Sequence, residues 1–174
     1  MPSRRAFHLG LIAALTLASA GVRAEILDRV LAVVGGQVIT LSDVTAAREL
    51  GLEPSGGADP VRAVLSRLID RELMLAEAER YAPPEPSADA IDAAEAAVRA
   101  RFRSPAEFDA TLSRVGVDAR HLRDGLRQDL LIQAYEDQRF ATAGDRRDQL
   151  IADWTAALRR RGDITDLYLP TARN

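Results

Sequence analysis

The sequence predicts a mainly α fold: a multi-helix domain with a small N-terminal β-hairpin that is joined by a C-terminal strand. Apolar residues recur at three- and four-residue steps along most of the chain, between residues that start and end helices. Two short runs rich in branched residues flank Gly35-Gly36, which is typical of a tight hairpin turn. A loop beside a buried helix start is the alternative interpretation of that segment.

Six helices are predicted after the hairpin. Ser or Asp side chains stand where they can accept hydrogen bonds from the first turns of five of them, and Ser104 with Glu107 forms a predicted capping box. The last helix ends in three arginines, which match the negative end of the helix dipole and are expected to be solvated. In order, the predicted starts are Ser42, Asp59, Ser87, Ser104, Asp118 and Arg146, and the final strand runs from Ile164 to Leu169.

The first 24 residues have the organisation of an export signal. Two arginines precede an apolar run from Leu9 to Val22, and Val22-Arg23-Ala24 fits the small-x-small pattern that signal peptidases cleave. The run is shorter than the about 20 apolar residues that a membrane span requires. We therefore predict a signal peptide over residues 1–24 and a single domain over residues 25–174. A retained N-terminal anchor is the alternative.

The export signal predicts a periplasmic location. Ser3-Arg4-Arg5-Ala6-Phe7 resembles a twin-arginine signal, and the general secretory route is the alternative. The sequence contains no cysteine, although disulfides are available in an oxidising compartment. Packing must therefore hold the domain together. No cysteine is present for a lipid anchor, so no stable membrane insertion is expected once the signal is removed.

Charge and residue inventory argue against several classes of function. The chain has 23 basic and 26 acidic residues, and the predicted signal holds arginines but no acid, so the exported part is acidic. An acidic chain without a basic stripe is not expected to bind nucleic acid. His121 is the one histidine after the predicted signal, which argues against a zinc site. We predict no cofactor and no catalytic residue; a pair of carboxylates is the catalytic alternative.

Three segments carry a resemblance to a known family. Asp28 to Val44 contains D-x-V-x-A-x-V, a Gly-Gly turn, V-I-T and S-D-V in that order. The long helix contains Leu68-Ile69-Asp70-Arg71-Glu72-Leu73, and a later helix contains Leu122 to Ile132, with arginines and branched residues at the family's spacing. Together they resemble the N-terminal part of the SurA family of periplasmic chaperones, over about Asp28 to Phe140.

The resemblance implies an ATP-independent holding chaperone for unfolded or partly folded proteins, with outer-membrane β-barrel precursors as clients. In that family, parvulin-type prolyl isomerase domains follow the fifth helix. Here the last predicted helix begins soon after Phe140, whereas a domain needs on the order of a hundred residues. Isomerase activity is therefore not expected. A non-catalytic adaptor that docks one fixed partner is the main alternative, and a peptidyl-prolyl isomerase is the less favoured one.

An apolar groove between helices is the expected client site. Methionine adapts to varied partners, and aromatic side chains offer a large contact area. Ordinary core packing is the alternative for each position. The candidate client-binding residues are Met74, Phe102, Phe108, Tyr135 and Phe140.

We expect the exported protein to begin at Glu25, because cleavage after Val22-Arg23-Ala24 leaves that residue first. N-terminal sequencing of protein from the periplasmic fraction measures this directly. An intact Met1 on protein recovered from the cytosol would contradict the predicted location.

Overall fold

The computed structural model describes residues 28–54 and 56–170. These ranges contain six α-helices and a three-stranded antiparallel sheet, which confirms the predicted fold class. The predicted signal peptide and the predicted new N-terminus at Glu25 lie outside the described residues. The strands are β1 (Val30–Val34), β2 (Gln37–Thr40) and β3 (Ile164–Asp166), and the helices are α1 (Leu41–Glu49), α2 (Pro60–Tyr81), α3 (Ala88–Arg99), α4 (Pro105–Val115), α5 (Ala119–Arg139) and α6 (Arg147–Arg161).

Two glycines set the turn of the predicted hairpin. Gly35 and Gly36 have φ angles of 55° and 89°, a left-handed pair that matches the type I′ turn. This turn has the twist that antiparallel strands need. β1 and β2 accordingly pair antiparallel, with Val34 opposite Gln37. The hairpin prediction is confirmed, and the alternative of a loop beside a helix start is wrong.

The C-terminal strand β3 joins the hairpin, as predicted, but it ends at Asp166 and not at Leu169. It pairs antiparallel with β1, so the strand order is β2-β1-β3. Just beyond β3, the Tyr168 hydroxyl donates to the Asp59 carboxylate at 2.9 and 3.0 Å. Asp59 also caps α2 by accepting from the Arg62 backbone N–H at 3.0 Å. An isolated hairpin is marginal in water, and these contacts give it a third strand and a helix to pack on.

The contacts of Asp59 make the stability of the fold depend on pH. The Arg62 backbone N–H, and after it the Tyr168 hydroxyl, hold the pKa of Asp59 below its usual range. A carboxyl group with a lowered pKa stabilises the fold above its unfolded-state pKa, and loses that contribution as the pH falls through its folded-state value. The link between the C-terminal segment and α2 is therefore present at neutral pH and weakens in acid.

Helix α1 starts two residues earlier than predicted. Its N-cap is Thr40, whose hydroxyl accepts from the Asp43 backbone N–H at 3.2 Å. The Asp43 carboxylate accepts in return from the Thr40 backbone N–H at 2.8 Å, which completes a capping box. Ser42 lies inside the first turn, so its prediction as the cap is wrong. The pattern Thr40-x-x-Asp43 matches a capping box, and it is the feature of the sequence that favours Thr40 over Ser42 as the cap.

The arginines at the end of α6 hold that helix against α2. Arg159 donates to the carbonyl and the hydroxyl of Ser66 at 2.6 and 2.8 Å, and it pairs with Asp70. Arg161 pairs with Glu77, whose side chain is nearly buried, at 2.9 Å. The expectation of a merely solvated, dipole-matched helix end is therefore wrong for Arg159, which is partly buried, whereas Arg161 remains exposed. Four-residue periodicity could not reveal which helix would lie opposite them.

The buried apolar side chains form two main clusters. The sheet core lies between the sheet and helices α2 and α6, and the helix core lies between α1, α3, α4 and α5. Trp154 is 6% exposed in the sheet core, with ring centroids 5.6 Å from Tyr135 and 5.8 Å from Phe140. The largest fully buried members are Leu31, Val44, Val64, Leu65 and Ile69 in the sheet core, and Leu50, Val98 and Phe108 in the helix core.

Gly162 permits the close approach of α6 to α2. Its backbone is extended, with φ of −75°, so conformational freedom is not the reason for a glycine there. A Cβ atom at this position would lie 2.6 Å from Leu73 Cδ2 and 3.0 Å from the carbonyl oxygen of Leu158. Leu73 is part of the sheet core, so it has little room to move.

We expect Gly162→Ala to lower the free energy of unfolding by about 1–3 kcal/mol, because the added methyl group overpacks the sheet core. The matched control is Gly125→Ala in α5, where a Cβ meets nothing within 4 Å. That substitution should instead raise the free energy of unfolding by up to about 1 kcal/mol, since alanine favours helix. Urea unfolding of both variants measures the difference, and equal stabilities would contradict the packing argument.

Candidate binding cleft

A cleft of about 650 Å³ opens between β2, α1, α2 and α5. This volume falls within the range of about 300–1,000 Å³ that is common for ligand sites. β2 and α1 contribute one part of the lining, and the middle of α2 contributes a second. The turn between α4 and α5, with the first half of α5, contributes the third. The lining therefore joins segments that are far apart in the sequence.

The apolar part of the lining reaches down to the helix core. Leu50, Leu122 and Leu126 line the cleft and belong to that core, so the cleft has buried leucines at its base. Small residues leave the space above them open. Ala46 and Ala47 of α1 have short side chains, and Gly125 of α5 has none. A glycine inside a helix costs about 1 kcal/mol relative to alanine, which makes Gly125 the sequence signal for this site.

The described lining contains one arginine, and each nitrogen of its guanidinium group donates a hydrogen bond. Arg71 Nε donates to Asp129 at 2.6 Å, and Nη1 donates to Glu72 at 2.9 Å. Nη2 donates to the Gly125 carbonyl at 3.1 Å and to the Gln128 side chain at 3.0 Å. Every nitrogen of this guanidinium group already has a partner. Arg71 therefore fixes the lining of α2 to that of α5.

The polar part of the lining is acidic. Five carboxylates stand against the single guanidinium group of Arg71, so the described lining carries a net negative charge. Such a cleft attracts cations and repels anions, and its apolar walls strengthen the effect. The five acidic residues are Asp43, Glu53, Glu72, Asp124 and Asp129.

Glu53 is an acidic residue of the lining that is partly buried. Burial raises the pKa of Glu53 above its usual range, and Arg67, whose Nε lies 3.8 Å from the carboxylate, opposes that effect only in part. Asp129 across the cleft raises the pKa further. A cation placed beside Glu53 would stabilise its ionised form.

His121 lies at the rim, where the sequence did not identify a partner for it. Its Nδ1 is 3.0 Å from Oδ1 of Asp118, the residue that caps α5. The imidazole is largely exposed, at 77%. The backbone N–H of His121, and after it the imidazole, lower the pKa of Asp118. The observed role of this pair is to start α5 beside the cleft.

The five predicted client-binding residues do not form one surface. Met74, Tyr135 and Phe140 pack in or against the sheet core, whereas Phe102 and Phe108 belong to the helix core region. Phe108 is 0% and Tyr135 4% exposed, so a client could contact either only if the core opened. The other three are partly buried. None of the five belongs to the described lining of the cleft, which the sequence reasoning did not find.

No protein-family model and no curated protein sequence matches this chain. The resemblance to the SurA family therefore rests on the three sequence segments described above. Within residues 28–54 and 56–170, no helix is long and apolar enough to cross a membrane. The same residues hold no group of three or more His, Cys, Asp or Glu side chains placed to bind a metal ion.

We expect Phe108→Ala to lower the free energy of unfolding by about 3–5 kcal/mol, as for a large side chain removed from a core. The ring contacts Phe102 edge-to-face at 5.3 Å and lies under the Arg99 guanidinium group at 4.3 Å. The control is Leu169→Ala, because Leu169 is 74% exposed and should contribute little. Thermal and urea unfolding distinguish them. A Phe108 variant with unchanged stability would assign this residue to a surface role.

Proposed function

We propose that this protein is a periplasmic, ATP-independent holding chaperone that binds unfolded or partly folded proteins, with outer-membrane β-barrel precursors as its clients. The observation that carries the proposal is the open cleft with leucines at its base and carboxylates around them. The resemblance to the SurA family supports the class of protein, and the N-terminal export pattern supports the location.

The cleft suits a chain that has not folded. Unfolded polypeptide exposes apolar side chains that gain free energy when they leave water. Val38 is 52% exposed, and Leu68 and Val117 are partly exposed, so these lining residues offer them an apolar surface. The small residues of α1 and α5 leave space for varied side chains. Precursors of β-barrels alternate apolar and polar residues. A cleft with an apolar base and a charged rim can contact both kinds of residue at once.

A fixed-partner adaptor is the second candidate, and one observation favours it. The network around Arg71 holds Glu72 and Asp129 in defined positions. Charges that are fixed in place discriminate between partners more strongly than mobile ones. Binding of several unrelated unfolded proteins supports the chaperone, whereas binding of one folded partner supports the adaptor.

Holding activity is tested by the aggregation of an unfolded β-barrel precursor, followed by light scattering without ATP. We expect the wild-type protein to slow aggregation at a near-stoichiometric ratio. Gly125→Leu should reduce this effect severalfold, because the new side chain enters open space in the cleft. The matched control is Ala156→Leu, which places the same side chain at an exposed position of α6, outside the cleft lining.

Two outcomes would contradict the proposal. If the wild-type protein fails to slow the aggregation of any barrel precursor, the adaptor is favoured over the chaperone. If Gly125→Leu and Ala156→Leu hold clients as well as the wild type does, the cleft is not the client site. Melting temperatures of both variants establish that each is folded under the assay conditions.

A further inference from the structure

The outer edge of β2 is open towards the cleft. β2 stands at one end of the strand order β2-β1-β3, and no strand in the described part of the chain pairs with its other side. Gln37, Val38 and Ile39 of β2 belong to the cleft lining, whereas β3, the other edge strand, contributes nothing to it. An edge strand presents backbone N–H and C=O groups that another chain can pair with.

The register shows which residue of β2 offers those groups. Val34 and Gln37 flank the two-residue turn and form the first pair of the hairpin. Pairs alternate between hydrogen-bonded and non-hydrogen-bonded along an antiparallel ladder, so the next pair, Val33 and Val38, is of the second kind. In such a pair, the N–H and the C=O of each residue point away from the partner strand. Both backbone groups of Val38 therefore face outwards.

Contacts on both sides of the hairpin agree with this alternation of inward and outward backbone groups. Thr40, two residues along β2, donates its backbone N–H to the Asp43 carboxylate at 2.8 Å and not to β1. On β1, the Leu31 carbonyl accepts from the Leu167 backbone N–H at 2.9 Å, on the side of β3. Because Asp43 occupies the outward N–H of Thr40, Val38 is the residue of β2 whose outward donor remains for an incoming chain.

The surroundings of this edge specify the chemistry of the incoming chain. Val38 is apolar and 52% exposed, and it lies in the lining of the cleft. Asp43 lies just beyond the edge, and Glu53, Glu72, Asp124 and Asp129 complete an acidic lining whose one arginine is fully occupied. A segment that brought basic side chains there would neutralise those carboxylates, while its apolar side chains would cover Val38 and the partly exposed Leu68 and Val117.

We propose that β2 captures an extended client segment by strand addition at Val38, and that the preferred segments alternate apolar residues with arginine or lysine. The inference rests on the proposed function, because it specifies how the cleft recognises a polypeptide. Backbone pairing makes no demand on sequence, which suits many clients, and the side chains supply the preference. A single residue offers only one pair of hydrogen bonds, so the complex forms and dissociates rapidly.

The test uses the full exported chain and a short fluorescent peptide of alternating valine and arginine, with binding followed by anisotropy. Val38→Pro removes the outward N–H and leaves β1 pairing intact, because proline is tolerated where the N–H of an edge strand faces outwards. We expect this variant to bind the peptide about three- to tenfold more weakly, the range for one hydrogen bond. Val38→Thr keeps the N–H and should weaken binding less than Val38→Pro does.

Two altered peptides test the same inference on the wild-type protein, and so do not depend on the folding of a variant. Methylation of alternate backbone nitrogens blocks strand pairing and should weaken binding about as much as Val38→Pro does. Glutamate in place of arginine should abolish measurable binding, because both partners are then acidic. Amide exchange followed by NMR should show protection of the Val38 N–H when the original peptide binds.

The possible failures are distinguishable. If Val38→Pro and the methylated peptide bind as tightly as their unmodified counterparts, strand addition is wrong, while the chaperone proposal stands on the aggregation assay. If the glutamate peptide binds as well as the arginine peptide, the preference for basic segments is wrong. If the wild-type protein binds none of the peptides and holds no barrel precursor, the proposed function itself fails.

Discussion

The apolar surface of α2 extends over more than one side of the helix, and the requirement to cover it organises the other elements. A helix of this kind must be buried by several neighbours. Val64, Leu65 and Ile69 face the sheet core, whereas Leu75 packs with residues of α5. The sheet, α1, α5 and α6 therefore all contact α2. The C-terminal segment returns to the N-terminal hairpin because both cover the same helix.

The cleft lies where this cover is incomplete. α1 and α5 both approach the middle of α2, but alanines on α1 and Gly125 on α5 keep them from closing over it. Arg71 bridges part of the gap with polar contacts, so α2 and α5 hold their positions without filling the space. The helices therefore surround an opening, and the small residues on α1 and α5 keep it from being filled. Filling it with apolar side chains would stabilise the helices and close the cleft.

Local signals predicted the elements well, because turns and helix starts depend on neighbouring residues. Gly35-Gly36 identified the hairpin, and Asp59, Ser87, Ser104 and Asp118 identified four helix starts. The site was missed because its residues meet only through tertiary packing. Phe108 and Tyr135 were chosen because they are aromatic, but both are buried. Large apolar side chains are favoured in a core as well as at a binding surface, so residue type alone could not distinguish the two roles.

The single tryptophan provides an intrinsic optical reporter for one half of the molecule. Trp154 is enclosed by Tyr135 and Phe140 in the sheet core, and it is absent from the described lining of the cleft. Its indole N–H is buried without a hydrogen-bond partner among the described residues, so its emission should be blue-shifted in the folded state. Red-shifted emission would then signal opening of the sheet core, whereas occupation of the cleft would leave the spectrum unchanged. Fluorescence can therefore separate loss of structure from binding in a single sample.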